Sequence, residues 1–75
     1  MMTRYVYYFS FDHKRIGNLF SKEQDAREYA AKWLFYNYKY RTEANVWIPD
    51  IVSGKVSEFD FASGGHVHIG SLEVE

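Results

Sequence analysis

Hydrophobic and polar side chains alternate at the start of the chain, as they do in a β-strand. Between Thr3 and Phe11 one face carries Tyr5, Tyr7, Phe9 and Phe11, and the other carries Val6 and Tyr8 together with Arg4 and Ser10. A period of two residues places successive side chains on opposite faces of a sheet. The pattern therefore predicts a first strand with a partly apolar second face. A polar turn follows, and the residues from Arg15 to Phe20 predict a second strand that closes a hairpin.

The pattern changes to a helical period after Phe20. Ser21 is followed three positions later by Gln24, which is the spacing of a capping box, and Glu23 and Asp25 place negative charge in the first turn. These signals predict a helix from Ser21 to Arg41. Its apolar face is expected to contain Ala26, Tyr29, Ala30, Trp33, Asn37 and Tyr40, with Gln24, Arg27, Glu28, Lys32 and Lys39 on the opposite, polar side.

The second half of this helix carries more aromatic surface than one buried stripe can use. Phe35 falls among the polar positions, and Leu34 and Tyr38 widen the apolar sector on the other flank. Either the helix ends before Arg41, or its second half is covered on two sides. The surplus surface is the main indication that the protein has a partner.

Three further segments have the composition of strands: Val46–Val52, Lys55–Phe61 and His66–Val74. Turns are expected between them at Ser53-Gly54 and at Ser63-Gly64-Gly65. Because proline has no N–H to donate, Pro49 predicts that the first of these strands is an edge strand or contains a bulge. The apolar positions of the last strand change face near Gly70-Ser71, which predicts a bulge there.

Together these elements predict a single α+β domain over residues 1–75, with one helix packed on a small, mainly antiparallel sheet of 4–5 strands in the order β-β-α-β-β-β. Only one helix is predicted. The second face of the sheet is therefore expected to meet solvent or a partner.

Composition narrows the class of protein. A chain of 75 residues is close to the size at which one core gives only a few kcal/mol of stability, and it has no cysteine for disulfides. Two Trp, seven Tyr and six Phe supply the core instead. A formal net charge of −1 gives the protein no long-range electrostatic attraction to DNA. No signal-peptide pattern or bilayer-spanning apolar run is present, and we expect a cytosolic protein without membrane contact.

The sequence predicts no enzyme, cofactor or metal. His66 and His68 share a strand face, but two histidines do not complete a zinc site. Glu58 and Asp60 also share a face, and we interpret them as a solvated strand surface. None of the serines lies in a Gly-x-Ser-x-Gly setting.

One alternative function is binding of single-stranded nucleic acid. Between residues 36 and 41, aromatic rings alternate with cations, as they do in stacking platforms on single strands; the residues concerned are Tyr36, Tyr38, Lys39, Tyr40 and Arg41. Nine Lys and Arg are balanced by ten Asp and Glu, whereas proteins that neutralise many phosphates usually have a basic domain. The charge balance makes this function the less favoured one.

The favoured interpretation is a non-enzymatic protein-binding module, because Tyr, Trp, Phe and Arg are enriched at interface centres. Its expected contact residues are Phe35, Tyr36, Tyr38, Tyr8 and Arg4. Self-association as a homodimer would use the same surplus surface. In general character the chain is similar to the small inhibitors and adaptors that bacteriophages and other mobile elements encode, which implies action by covering a surface of a host protein.

Overall fold

A computed structural model of the protein describes residues 4–37, 41–62 and 64–74. The described elements, in chain order, are the strands β1 (Arg4–Phe11) and β2 (Lys14–Phe20), the helices α1 (Glu23–Tyr36) and α2 (Arg41–Ser53), and the strands β3 (Glu58–Asp60) and β4 (His66–Val74). The strands form one antiparallel sheet in the order β2-β1-β4-β3. The α+β class is confirmed, with the order β-β-α-α-β-β.

The central pair of strands, β1 and β4, is in continuous register from Arg4 opposite Val74 to Phe11 opposite Val67. The bulge predicted at Gly70-Ser71 is therefore wrong. The bulge was expected to turn Leu72 toward the same side of the sheet as Val67 and Ile69. Leu72 instead lies on the uncovered side, where it is 46% exposed. The irregularity in the sheet lies instead between β1 and β2, where the register shifts between Tyr7 and Phe9.

Helix α1 is shorter than predicted at both ends. Lys22 is the N-cap residue and makes no side-chain cap bond, so the capping box predicted from Ser21 does not form. At the other end the helix stops at Tyr36, and the N–H of Asn37 donates to the carbonyl of Trp33 at 3.0 Å. The helix thus ends before Arg41, which is one of the two outcomes expected from its surplus of aromatic residues.

The strand predicted over Val46–Val52 is wrong, because this segment belongs to helix α2. Ala44 and Ile51 are fully buried, and the ring of Trp47 stacks on Phe59 with centroids 4.5 Å apart. Packing of this face on α1 and β3 overrides the preference of branched residues for strands. Pro49 is exposed within the helix and marks neither a bulge nor a strand edge.

The turn predicted at Ser53-Gly54 is the end of α2, where the N–H of Gly54 donates to the carbonyl of Ile51 at 3.3 Å. The strand predicted over Lys55–Phe61 is present only as the three residues of β3. Lys55 and Val56 instead donate their N–H groups to the carbonyl of Asp50, at 2.9 and 3.2 Å. These bonds bind the start of the predicted strand to the helix end.

Both helices lie on the same face of the sheet. Phe9 contacts Tyr29 and Trp33 of α1, and Phe59 contacts α2. Since side chains alternate along a strand, the neighbours of Phe9 on β1 point to the opposite face, which no described helix covers. The predicted uncovered face is present, and we call it the open face. Within the described ranges, neither helix has the length and apolarity needed to cross a membrane.

Candidate partner-binding site

The residues predicted to contact a partner lie on two separate surfaces. Phe35 and Tyr36 are on the last turn of α1, where they are 41% and 73% exposed. Tyr8 and Arg4 lie on the open face, on the other side of the sheet. The sheet stands between the two pairs, so the predicted residues do not form one site.

Part of both predicted sites falls on Tyr38, Lys39 and Tyr40, which lie outside the described residues. Arg41 begins α2, so the stretch from Tyr36 to Arg41 does not continue one helix. Leu34, expected to widen the exposed apolar sector, is fully buried in the core. A patch that joins Leu34 to Phe35 is therefore absent from this side of α1.

A pocket of about 390 Å³ lies along the outer side of α1. We call it the α1 pocket, and its lining is mainly apolar: Tyr29, Lys32, Trp33, Tyr36 and Asn37. The four helical residues are spaced i, i+3, i+4 and i+7, which places them on one face of a helix. Among the predicted contact residues that the structure describes, only Tyr36 lines this pocket.

The rings that line the α1 pocket are fixed by the core behind them. Trp33 packs against Phe9 and Phe11, with ring centroids 5.4 and 5.2 Å apart. Tyr29 packs against Phe20 at 5.3 Å. Rings held in this way lose little conformational entropy when a ligand contacts their outer faces. The pocket therefore has a preformed aromatic base.

The outer rim of the α1 pocket is more exposed. Tyr36 meets Phe35 edge-on, with centroids 5.3 Å apart and the ring planes at 88°. The pair stands at the end of α1, beside the base formed by Trp33. A fixed base with an exposed aromatic rim is the arrangement in which interface anchors usually bind.

Charge is unevenly distributed along this side of α1. A second hollow of about 230 Å³ shares Tyr29 and Lys32 with the α1 pocket and continues to Asp25 and Glu28. Within the described part of the chain no carboxylate forms an ion pair with Lys32. The α1 pocket thus has a cation at its edge, and the adjoining hollow has two acids.

A separate cluster of charged groups lies at the β3 side of the open face. Nδ1 of His66 is 2.7 Å from Oδ1 of Asp60, and Nε2 is 2.8 Å from Oε2 of Glu58. The hydrogen bonds to Asp60 and Glu58 raise the pKa of His66 above 6.5. Glu58 and Asp60 are both exposed on β3, as predicted for a solvated strand surface, and the structure adds that they share a bridging imidazole.

His66 has no ring nitrogen available for a metal in this arrangement, because each one faces a carboxylate. His68 is turned to a different neighbour and meets Tyr8 edge-on at 5.7 Å. No set of three or more potential metal ligands occurs among residues 4–37, 41–62 and 64–74. The hydrogen bonds of His66 to Asp60 and Glu58 join β4 to β3.

Four residues of the α1 pocket were not predicted as contact residues: Tyr29, Lys32, Trp33 and Asn37. The sequence pattern placed Tyr29 and Trp33 in the core and Lys32 on the polar side. The structure gives the two rings both roles, since they are half-buried and line the pocket. The sequence signal that could have identified the pocket is the i, i+3, i+4 and i+7 spacing of Tyr29, Lys32, Trp33 and Tyr36.

Comparison of the chain with models of known protein families, with curated proteins and with solved structures gave no match. Function is therefore inferred from the geometry of the described surfaces.

Proposed function

We propose that the protein is a small, non-enzymatic module that binds another protein through the α1 pocket. The observation that supports this proposal is the preformed aromatic base of Tyr29 and Trp33 beside the exposed ring of Tyr36. Aromatic residues that are held rigidly and half-exposed are typical anchors of protein interfaces.

The lining defines the chemistry of the partner segment. An apolar or aromatic side chain fits the α1 pocket, and a carboxylate next to it would meet the ammonium group of Lys32. A basic residue farther along the segment would face Asp25 and Glu28 in the adjoining hollow. Complementary charges of this kind fix the direction of a bound segment more than they raise its affinity.

In its sharper form the proposal is inhibition by occlusion, in which the protein covers a surface that its partner needs, as phage-type inhibitors do. The chain has no cysteine, which fits a reducing compartment, and we place it in the cytoplasm. Neither catalysis nor a cofactor is part of the proposed mechanism.

A peptide-display selection tests the proposal and defines the chemistry of the partner at the same time. The wild-type protein is used for positive selection, and Tyr36→Ser is used to remove peptides that bind elsewhere. We expect the retained peptides to share an apolar or aromatic residue next to Asp or Glu. Their affinity, measured by calorimetry, should fall about tenfold in Tyr36→Ser, the loss typical of a moderate interface contact.

Tyr5→Ser is the matched control, because Tyr5 is a 49% exposed tyrosine on β1 that does not line the α1 pocket. It should leave the affinity of the selected peptides unchanged. Peptides that bind both variants equally, or that share no apolar anchor, would overturn the proposal. A stable dimer in light scattering that dissociates in Tyr36→Ser would also overturn it, because the pocket would then be occupied by a second copy of the chain.

A further inference from the structure

A separate hollow lies on the open face of the sheet, on the opposite side from the α1 pocket and the hollow that adjoins it. It has a volume of about 290 Å³, and we call it the open-face hollow. Its lining comes from β1, β2, β4 and the β1–β2 turn: Tyr8, Ser10, His13, Arg15, His68 and Leu72. The lining combines aromatic rings with cationic and hydroxyl groups, unlike the mainly apolar α1 pocket.

The aromatic part of the hollow depends on Gly70. Tyr8 is directly opposite Gly70 in the β1–β4 register. A Cβ atom at Gly70 would lie 2.6 Å from Oη and 2.7 Å from Cζ of Tyr8, and 2.9 Å from Cε1 of His68. The phenol ring therefore lies across the backbone of β4, where only glycine leaves room. His68 meets it edge-on at 5.7 Å.

The cationic part comes from Arg15, which is exposed on β2 opposite Ser10. In the described ranges no carboxylate forms an ion pair with its guanidinium group. The acids around this face have other partners: Glu58 and Asp60 are hydrogen-bonded to the ring of His66, and Oδ1 of Asp12 accepts from the N–H of His66. Arg15 therefore carries a positive charge that no described acid neutralises through an ion pair.

His13 is brought to this hollow by the two-residue turn between β1 and β2. Asp12 and His13 have φ angles of 54° and 66°, and two-residue hairpin turns favour positive φ at both positions. The turn is attached to β4 by two hydrogen bonds: the N–H of Asp12 donates to the carbonyl of His66 at 2.8 Å, and the N–H of His66 donates to Oδ1 of Asp12 at 3.3 Å. The ring of His13 also stacks on the ring of His66, with centroids 5.0 Å apart.

We propose that the open-face hollow binds a nucleotide unit, with the base against Tyr8 and His68 and the phosphate on Arg15 and His13. Base stacking on aromatic side chains is favourable for every base, and the guanidinium fork fits two phosphate oxygens. The volume is at the lower limit of small-molecule pockets, which suits one nucleotide and not a larger ligand. This proposal uses the opposite side of the sheet and does not depend on the α1 pocket.

Titration of the isotope-labelled protein with AMP, adenosine and inorganic phosphate tests the requirement for both base and phosphate. We expect AMP to shift the amide signals of Gly70, His68 and Tyr8, and to bind about tenfold more tightly than adenosine or phosphate alone. Equal binding of AMP and phosphate would mean a simple anion site, and no binding of AMP would exclude the site. Either result would overturn the proposal.

A short oligoadenylate distinguishes a free nucleotide from a nucleotide within a strand, because the same chemistry occurs in both. If the natural ligand is a single strand, the oligonucleotide should bind more tightly than AMP, and its affinity should fall steeply with salt. If it is a free nucleotide, the strand should bind no more tightly than AMP. Both results support the site and identify the source of the ligand.

Two variants test the roles of the named residues. Arg15→Gln should weaken AMP binding about tenfold, whereas Lys14→Gln removes a neighbouring cation on the other face of β2 and should have little effect. Gly70→Ala should weaken binding by displacing the ring of Tyr8 without changing the charge. Equal losses in Arg15→Gln and Lys14→Gln would contradict the proposal, and this pair remains decisive if Gly70→Ala fails to fold.

Discussion

The phenol ring of Tyr29 rests directly on the backbone of Gly17. A Cβ atom at Gly17 would lie 2.6 Å from both Cζ and Oη of Tyr29. Gly17 also has a φ angle of 78°, which side chains rarely tolerate. This contact joins β2 to α1 and fixes one wall of the α1 pocket, so a residue on the edge strand determines the shape of a site on the helix.

Replacing Gly17 with alanine is expected to lower the free energy of unfolding by about 1–3 kcal/mol, because the new methyl group adds a steric clash to an unfavourable backbone angle. Chemical denaturation measures this loss. Gly64→Ala is the control, since Gly64 has a φ angle of 99° but nothing within 4 Å of its Cβ position. If both variants lose the same stability, the contact with Tyr29 contributes nothing.

The buried side chain of Arg27 joins α1 to the end of α2. It is only 5% exposed, although the sequence pattern assigned it to the polar side of the helix. Its Nη1 donates to the carbonyls of Ile51 and Val56, at 3.0 and 2.8 Å, and its Nη2 donates to the hydroxyl of Ser57 at 2.7 Å. The guanidinium group therefore completes the hydrogen bonding of the loop between α2 and β3.

We expect Arg27→Ala to lower the free energy of unfolding by about 3 kcal/mol, because it leaves the buried carbonyl of Ile51 and the part-buried carbonyl of Val56 without this donor. Glu23→Gln should change it by about 0.5 kcal/mol or less, because solvent screens the charge of the half-exposed Glu23 and the amide oxygen of glutamine can still accept the bond from Nε of Arg27. Thermal and urea denaturation compare the two. A similar loss in both variants would show that the ion pair, and not the backbone contacts, accounts for the role of Arg27.

Stability is expected to depend on the protonation of His66. Its pKa is raised in the folded protein by Asp60 and Glu58, so the protonated ring favours the folded state. The contribution is fully present below pH 6.5, the ordinary value, and is lost as the pH rises through the raised pKa. Denaturation at about pH 5.5 and about pH 8.5 should show the difference in wild type.

The control for this pH dependence is the pair of variants His66→Asn and His68→Asn. His66→Asn should remove the fall in stability around neutral pH, whereas His68→Asn should retain it, because the ring of His68 meets Tyr8 rather than the two acids. An unchanged pH profile in His66→Asn would show that the bridging imidazole does not stabilise the β3–β4 pair.

The sequence predicted β4 with its observed bounds and β2 to within one residue, because short alternating segments between polar turns depend mainly on local pattern. It failed for Val46–Val52, where the branched residues favour a strand and Pro49 argues against a helix. The spacing of Ala44, Trp47, Ile48 and Ile51 is helical, but this face stabilises a helix only when it packs on α1 and the rest of the core.

The candidate site was less predictable than the fold. Tyr36 was predicted as a contact residue because the last turns of the predicted helix carry surplus aromatic surface, but its neighbours Tyr29 and Trp33 have the spacing of core residues. Whether the rings of Tyr29 and Trp33 are fully covered depends on how far β1 and β2 extend beneath α1. The bridging of His66 by Glu58 and Asp60 requires the β3–β4 register, which strand composition alone does not specify.

An NMR titration with two small probes tests whether the α1 pocket accepts an apolar group with a neighbouring carboxylate. We expect 3-phenylpropionate to shift the amide signals of Tyr29, Trp33 and Asn37 with a dissociation constant of about millimolar order. We also expect 2-phenylethylamine, which carries the opposite charge, to bind more weakly, and Tyr36→Ser to reduce binding while Tyr5→Ser does not. Equal binding of both probes, or unchanged binding in Tyr36→Ser, would show that the α1 pocket is not a site of this kind.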